Sequence, residues 1–153
     1  MRTKLGKMVV CLSVGMMLGG VAAADRFNNN TDGTVTDSGT GLVWQKDGKT
    51  QRDWAGALAY CEGLDLAGHT DWRLPNIREL LSIVDYTKFS PAIDNRFSGT
   101  DDPFGYWSST SYLDPNWKLG AWYVNFYDGT AAISGSEKTR NRYVRCVRGG
   151  ELK

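Results

Sequence analysis

A pair of cysteines, Cys61 and Cys146, constrains this chain more than any other feature, because joining them would close over half of its 153 residues into one loop. The loop-entropy model values such a closure at about 4–5 kcal/mol, an upper figure. Whether the thiols oxidise depends on the compartment, and the N-terminus speaks to that. Residues 1–24 carry a basic start (Arg2, Lys4, Lys7), an apolar run from Met8 to Val21 and the small-residue end Ala22-Ala23-Ala24. That order is the order of a cleaved secretory signal peptide, with Asp25 as the new N-terminus. The run, about 14 residues and interrupted by glycines, is too short and too weakly helical for a membrane span. Cys11 lies inside it behind Val9-Val10, which is not the setting of a lipid anchor. Export then leaves two cysteines in an oxidising place, periplasmic or extracellular. That favours a disulfide between Cys61 and Cys146 over two separate buried thiols.

Of the 18 Lys+Arg, three lie in the leader, so the mature chain sets 15 cations against 17 Asp+Glu, a formal charge of −2. This excludes nucleic-acid binding by bulk charge, though not a local basic patch. All six Trp, seven Tyr and five Phe follow residue 24, ample for the core of one domain spanning 25–153. No repeat, linker or low-complexity segment divides it.

The patterning predicts an α+β domain. Short strands begin at Phe27, continue over Thr34–Asp37 and Leu42–Gln45, and are broken by Asp32-Gly33 and Ser38-Gly39-Thr40-Gly41 turns. Trp54, Ala57, Leu58 and Cys61 share one helical face behind Asp53, a suitable N-cap. A second helix opens after Arg73-Leu74-Pro75, with Asn76 and Glu79 spaced as a capping box, and continues through Ile77, Leu80, Leu81 and Val84. Strands return at Tyr106–Thr110, Ala121–Tyr127, Thr130–Ser134 and Arg142–Arg148. Asp128-Gly129 turns the middle pair into a hairpin, and apolar mass on both parities of Ala121–Tyr127 makes that strand central.

Five phrases, in order, carry a family resemblance: Thr40-Gly41-Leu42-Val43-Trp44-Gln45, Trp54-Ala55-Gly56-Ala57-Leu58-Ala59-Tyr60-Cys61, Asp71-Trp72-Arg73-Leu74-Pro75-Asn76-Ile77-Arg78-Glu79-Leu80, Tyr106-Trp107-Ser108-Ser109-Thr110 and Tyr143-Val144-Arg145-Cys146-Val147-Arg148. Over about residues 32–150 the chain resembles the C-terminal domain of the Legionella collagen-like protein. The resemblance implies a C-type-lectin-like fold with a disulfide from the first helix to the last strand. It also implies surface recognition, since the best-known member is an adhesin for sulfated polysaccharides. This chain has no Gly-x-y repeat, so the collagen-like stalk is not inherited.

Arg73, Pro75, Asn76 and Glu79 also look like the Arg-Leu-Pro-Thr-x-x-Glu signature of formylglycine-generating enzymes, which use a close, redox-active cysteine pair with copper. Here the cysteines stand far apart in sequence, and the motif reads as a strand-to-helix corner in which Pro75 fixes φ and Asn76 caps. Ser108-Ser109-Thr110 offers hydroxyls, but the lone histidine, His69, stands in a polar loop, so a Ser-His-Asp arrangement is not expected. One His and two paired Cys leave too few ligands for zinc. We therefore expect no enzymatic activity and no cofactor other than calcium, for which Asp101, Asp102, Asp114 and Asn116 offer hard oxygen donors. Asp114-Pro115-Asn116 partly resembles a sugar-binding lectin triplet, and is equally an ordinary turn. Tyr112 and Trp117, in a polar loop, are the exposed aromatics expected at a ligand edge. Trp44, Trp54, Trp72 and Trp107 are assigned to the interior. Lys138, Arg140 and Arg145 form the expected basic patch: if Cys146 and Val144 point inward, strand parity turns Arg145 outward. Arg142 and Arg148 have the inward parity and would reach solvent only at strand ends. The expected partner is a glycan or sulfated polyanion; the alternative function is a structural or accessory subunit that contacts an envelope protein, and the second alternative is that the chain is itself a relative of the formylglycine-generating oxidases.

Overall fold

The computed structural model describes residues 25–99, 104–113, 120–135 and 138–150. The first sheet is built from β1 (Phe27–Asn29), β2 (Thr34–Asp37), β3 (Val43–Gln45) and β9 (Val147–Arg148) in the order β1-β2-β3-β9, all antiparallel. The second has the order β4-β8-β5-β6-β7, from β4 (Gln51–Arg52), β5 (Tyr106–Tyr112), β6 (Gly120–Asn125), β7 (Thr130–Ile133) and β8 (Arg142–Tyr143). Its single parallel pairing joins β5 to β8. As the two-sided apolar pattern requires, β6 is internal to this sheet.

Two helices stand between the sheets in sequence: α1 (Trp54–Glu62) and α2 (Ile77–Ser82). Each starts where a side chain satisfies a free backbone N–H. Asp53 Oδ1 accepts from Gly56 N at 2.7 Å. Asn76 Oδ1 accepts from Glu79 N at 2.9 Å while Glu79 Oε2 accepts from Asn76 N at 2.8 Å, a complete capping box. The second helix stops at Ser82, two residues short of the expected Val84. Leu80 and Ile83 are buried there in one core, and Ala57 and Cys61 of α1 in another.

The two cores meet across β5. Tyr106 points into the core that holds Trp44, Phe97 and Phe126, and its neighbour Trp107 points into the core that holds Trp72, Leu74 and Val144. Successive strand residues face opposite sides, and here both sides are dry. Trp44, Trp72 and Trp107 are interior as expected, while Trp54 is only half-buried.

Cys61 and Cys146 are disulfide-bonded, with 5.5 Å between Cα atoms. Both are fully buried. The bridge ties α1 to the segment just before β9.

One expectation needs correcting. Arg142–Arg148 is not one strand: β8 ends at Tyr143, β9 begins at Val147, and residues 144–146 cross between the sheets. Val144 N bonds to Thr50 O, and Cys146 N to the Gln45 side chain. The two-residue alternation therefore resets, and Val144, Arg145, Cys146 and Val147 are all buried in succession. Arg145 is 0 % exposed, not on the surface. Its guanidinium donates to the carbonyls of Gln45 and Ser98, each at 2.7 Å, and of Lys46, and lies 5.0 Å from the Phe97 ring centroid. Arg142 is buried as well, stacked 3.5 Å over Tyr123 and donating to Phe104 O at 2.7 Å. Arg148 is half-buried and pairs with Asp71 at 2.7 Å.

Candidate functional site

The site is built outward from Asp53. By capping α1 it fixes Trp54 at the first helical position. The Trp54 backbone N–H donates to Lys138 O, and its indole N–H to Ser108 O on β5, both at 2.9 Å. The ring is thus pinned at two points. Lys138 Nζ lies 3.7 Å from the Trp54 ring centroid and 3.4 Å from Ser111 Oγ. An ammonium over an indole face is held by the ring quadrupole, about 0.5–1 kcal/mol when exposed. Tyr112 follows Ser111 at the end of β5, half-buried and packed edge-on to Trp122 of β6 with centroids 6.2 Å apart. Arg140 and Arg52 are exposed in the same stretch of chain as Lys138 and Trp54 respectively. A cation, a hydroxyl and the Trp54 ring are therefore presented together at this end of β5.

Of the five residues expected to bind ligand, Lys138 stands beside Ser111 with Arg140 two positions further on, while Tyr112 shares the end of β5 but turns to the opposite face, against Trp122. Arg145 lies apart in the interior. Trp117 lies outside the described residues, as do the calcium candidates Asp101, Asp102, Asp114 and Asn116 and residues 1–24, expected to be a signal peptide. Among the described residues no group of three or more His, Cys, Asp or Glu could hold a metal. No helix among them is long and apolar enough to cross a membrane.

Within Ser108-Ser109-Thr110 the hydroxyls of Ser108 and Thr110 have structural partners. Buried Ser108 Oγ donates to Trp122 O at 2.9 Å, and Thr110 Oγ1 accepts from Ile77 N at 3.0 Å. The Arg73-Leu74-Pro75-Asn76-x-x-Glu79 corner is likewise closed on itself. Arg73 makes a two-pronged ion pair with the fully buried Glu79, both bonds 2.7 Å, and Pro75 O accepts from Ser109 N at 2.8 Å. His69 is exposed, and its carbonyl accepts the Trp72 indole N–H at 2.9 Å.

Tyr106 supplies a pH dependence. Burial pushes its pKa up to about 12, against the opposing pull of Arg145 beside it. An acid whose folded pKa exceeds its unfolded value of about 10 gives stability that is full below pH 10 and lost as pH rises toward 12. Denaturant midpoints should therefore fall across that range, and Tyr106→Phe should flatten the fall. An unchanged slope in the variant would remove Tyr106 as its source.

Sequence reasoning missed Trp54 and Ser111 as members of the edge, since Trp54 was assigned to the core. The signal available was the position of Trp54 directly behind a cap, where a side chain stands at the helix entrance rather than on its buried face.

The fold and edge define a small α+β domain with one buried disulfide and a cationic, aromatic rim. The model of the Lcl C-terminal domain matches residues 33–148, most of the chain, and the chain belongs to that family. No curated protein and no solved structure matches it.

Proposed function

We propose that this chain is an exported, non-catalytic recognition domain of C-type-lectin-like architecture that binds a carbohydrate or polyanion at a surface. It acts in the periplasm or outside the cell, as the character of residues 1–24 suggests. The observation that carries the reading is Lys138 held over the Trp54 ring beside Ser111. A cation in that position meets a sulfate or carboxylate, the neighbouring Ser111 hydroxyl meets the sugar that bears it, and the Tyr112 ring at the same strand end meets the chain as it passes the sheet's end. Arg140 and Arg52 extend the positive rim, so the mature charge of −2 does not describe this edge.

Heparin is the probe. Its affinity for the full chain should fall steeply with salt, because exposed charges are screened within about 10 Å at 0.1 M. Lys138→Glu/Arg140→Glu should weaken binding about tenfold or more, on the order of 1.4 kcal/mol, with the melting temperature nearly unchanged. Tyr112→Ala should weaken it at constant salt dependence. Heparin binding that survives both the salt and the double reversal would exclude this edge.

A further inference from the structure

We infer that the opposite end of the β6–β7 hairpin carries a second recognition site, for an uncharged saccharide. Tyr112 and Gly120 lie at one end of the hairpin and the turn 126–129 at the other, about 16 Å away at roughly 3.3 Å per strand residue. Here Tyr86 and Phe89 are 72 % and 68 % exposed, the two most exposed aromatics among the described residues. They are not scattered. Phe89 packs at a steep angle against Tyr127, centroids 5.0 Å apart and planes at 68°, forming a corner of two rings. The Tyr86 ring lies beside Gly129, about 3.5 Å from where a Cβ would stand, an ordinary contact distance. Gly129 has φ +78, and a Cβ there would come within 2.9 Å of Val84, so the turn needs glycine.

The backbone holds the corner in place. Ser90 N donates to Tyr127 O at 2.8 Å, Ala92 N to Phe126 O at 2.7 Å and Asp85 N to Ala92 O at 2.9 Å. Exposed rings on a loop fixed in this way are already arranged for a ligand, which lowers the ordering cost of binding.

Size and charge select the occupant. At roughly 150–250 Å² per ring, the exposed parts of Tyr86 and Phe89 offer about 200–350 Å². A stable protein interface needs about 800 Å² from each partner, whereas this area matches one or two sugar rings. Two carboxylates rim the corner. Asp128 Oδ1 accepts from Thr130 N and Oγ1, at 3.0 and 2.7 Å, and Asp85 Oδ1 from Thr87 in the same way. Those bonds hold both acids ionised. Asp85 pairs with Lys88 at 3.3 Å, so Asp128 sets the sign of the rim. A negative rim repels sulfate and accepts hydroxyl protons, while sugar C–H faces stack on the rings. This site is therefore distinct in charge and place from the Lys138 edge.

The test is an array of uncharged glucose, mannose, galactose and N-acetylglucosamine tetramers, probed with the full chain. At least one should bind, with Phe89→Ala and Tyr86→Ala each weakening it tenfold or more. Lys138→Glu/Arg140→Glu should leave that binding intact, so the two sites fail separately. Both aromatic variants replace exposed side chains, and unchanged melting temperatures would verify their folding. No signal from any tetramer, or a signal untouched by both variants, overturns the proposal. So does capture of a protein through this corner with the array silent.

Discussion

Arg145→Met should destabilise the protein by about 3–5 kcal/mol, among the largest effects of any single substitution. The guanidinium is a buried tie among the Gln45, Lys46 and Ser98 carbonyls, which join the end of β3 and the loop after it to a loop some fifty residues further along the chain. A thioether offers those oxygens no donor, and each buried acceptor left without its partner costs about 1–3 kcal/mol. Two of them keep a second bond, Lys46 O from Ser98 N and Ser98 O from Gly48 N, which holds the total below the sum. Arg145→Lys should recover only part of the loss, because a single ammonium cannot span three carbonyls that a planar fork reaches. Urea midpoints settle it, with Arg140→Met as the surface comparison, expected within about 0.5 kcal/mol of the parent. An Arg145→Met chain as stable as the parent would show that the loops hold without this tie. The same result bears on ligand tests: reversing Arg145 would unfold the domain and mimic a loss of binding.

Opening the disulfide is expected to cost about 2–5 kcal/mol, the range for native bridges in small exported domains. Cys61 and Cys146 are fully buried and join elements 85 positions apart, so the unfolded chain gains a large loop's freedom when the bridge is lost. The double variant Cys61→Ala/Cys146→Ala should melt well below the oxidised parent, and the parent treated with reductant under denaturing conditions should refold poorly. Under denaturing, non-reducing conditions a chain beginning at Asp25 should show no free thiol. Two titratable thiols per chain would end the argument.

What could be read from the sequence follows from how local each signal is. The caps at Asp53 and Asn76 and the hairpin turn at Asp128-Gly129 act over three or four residues, and all three stand where the pattern puts them. The cysteine pairing was legible because only two cysteines follow residue 24. The run Arg142–Arg148 misled because parity holds only while a strand keeps its ladder. Val144-Arg145-Cys146-Val147 sits between two sheets, where every direction is interior, and an arginine flanked by apolar residues on both parities is the trace this leaves in sequence. The edge was half legible. Tyr112 and Lys138 could be chosen for type and polarity of surroundings, but the stacking of Lys138 on Trp54 joins residues far apart in the chain, and no spacing announces it.

The segment 142–148 also has a bearing on timing. It gives one strand to each sheet and the second half of the crosslink, so neither sheet is complete until the last part of the described chain has been made. Sheets closed by so distant a partner fold late, since the long loop must be gathered first. A nascent chain lacking these seven residues exposes the edges of β3 and β5 together, and with them the apolar walls of both cores. Such a chain remains threadable for as long as this segment is withheld, and locks only once residues 142–148 are in place.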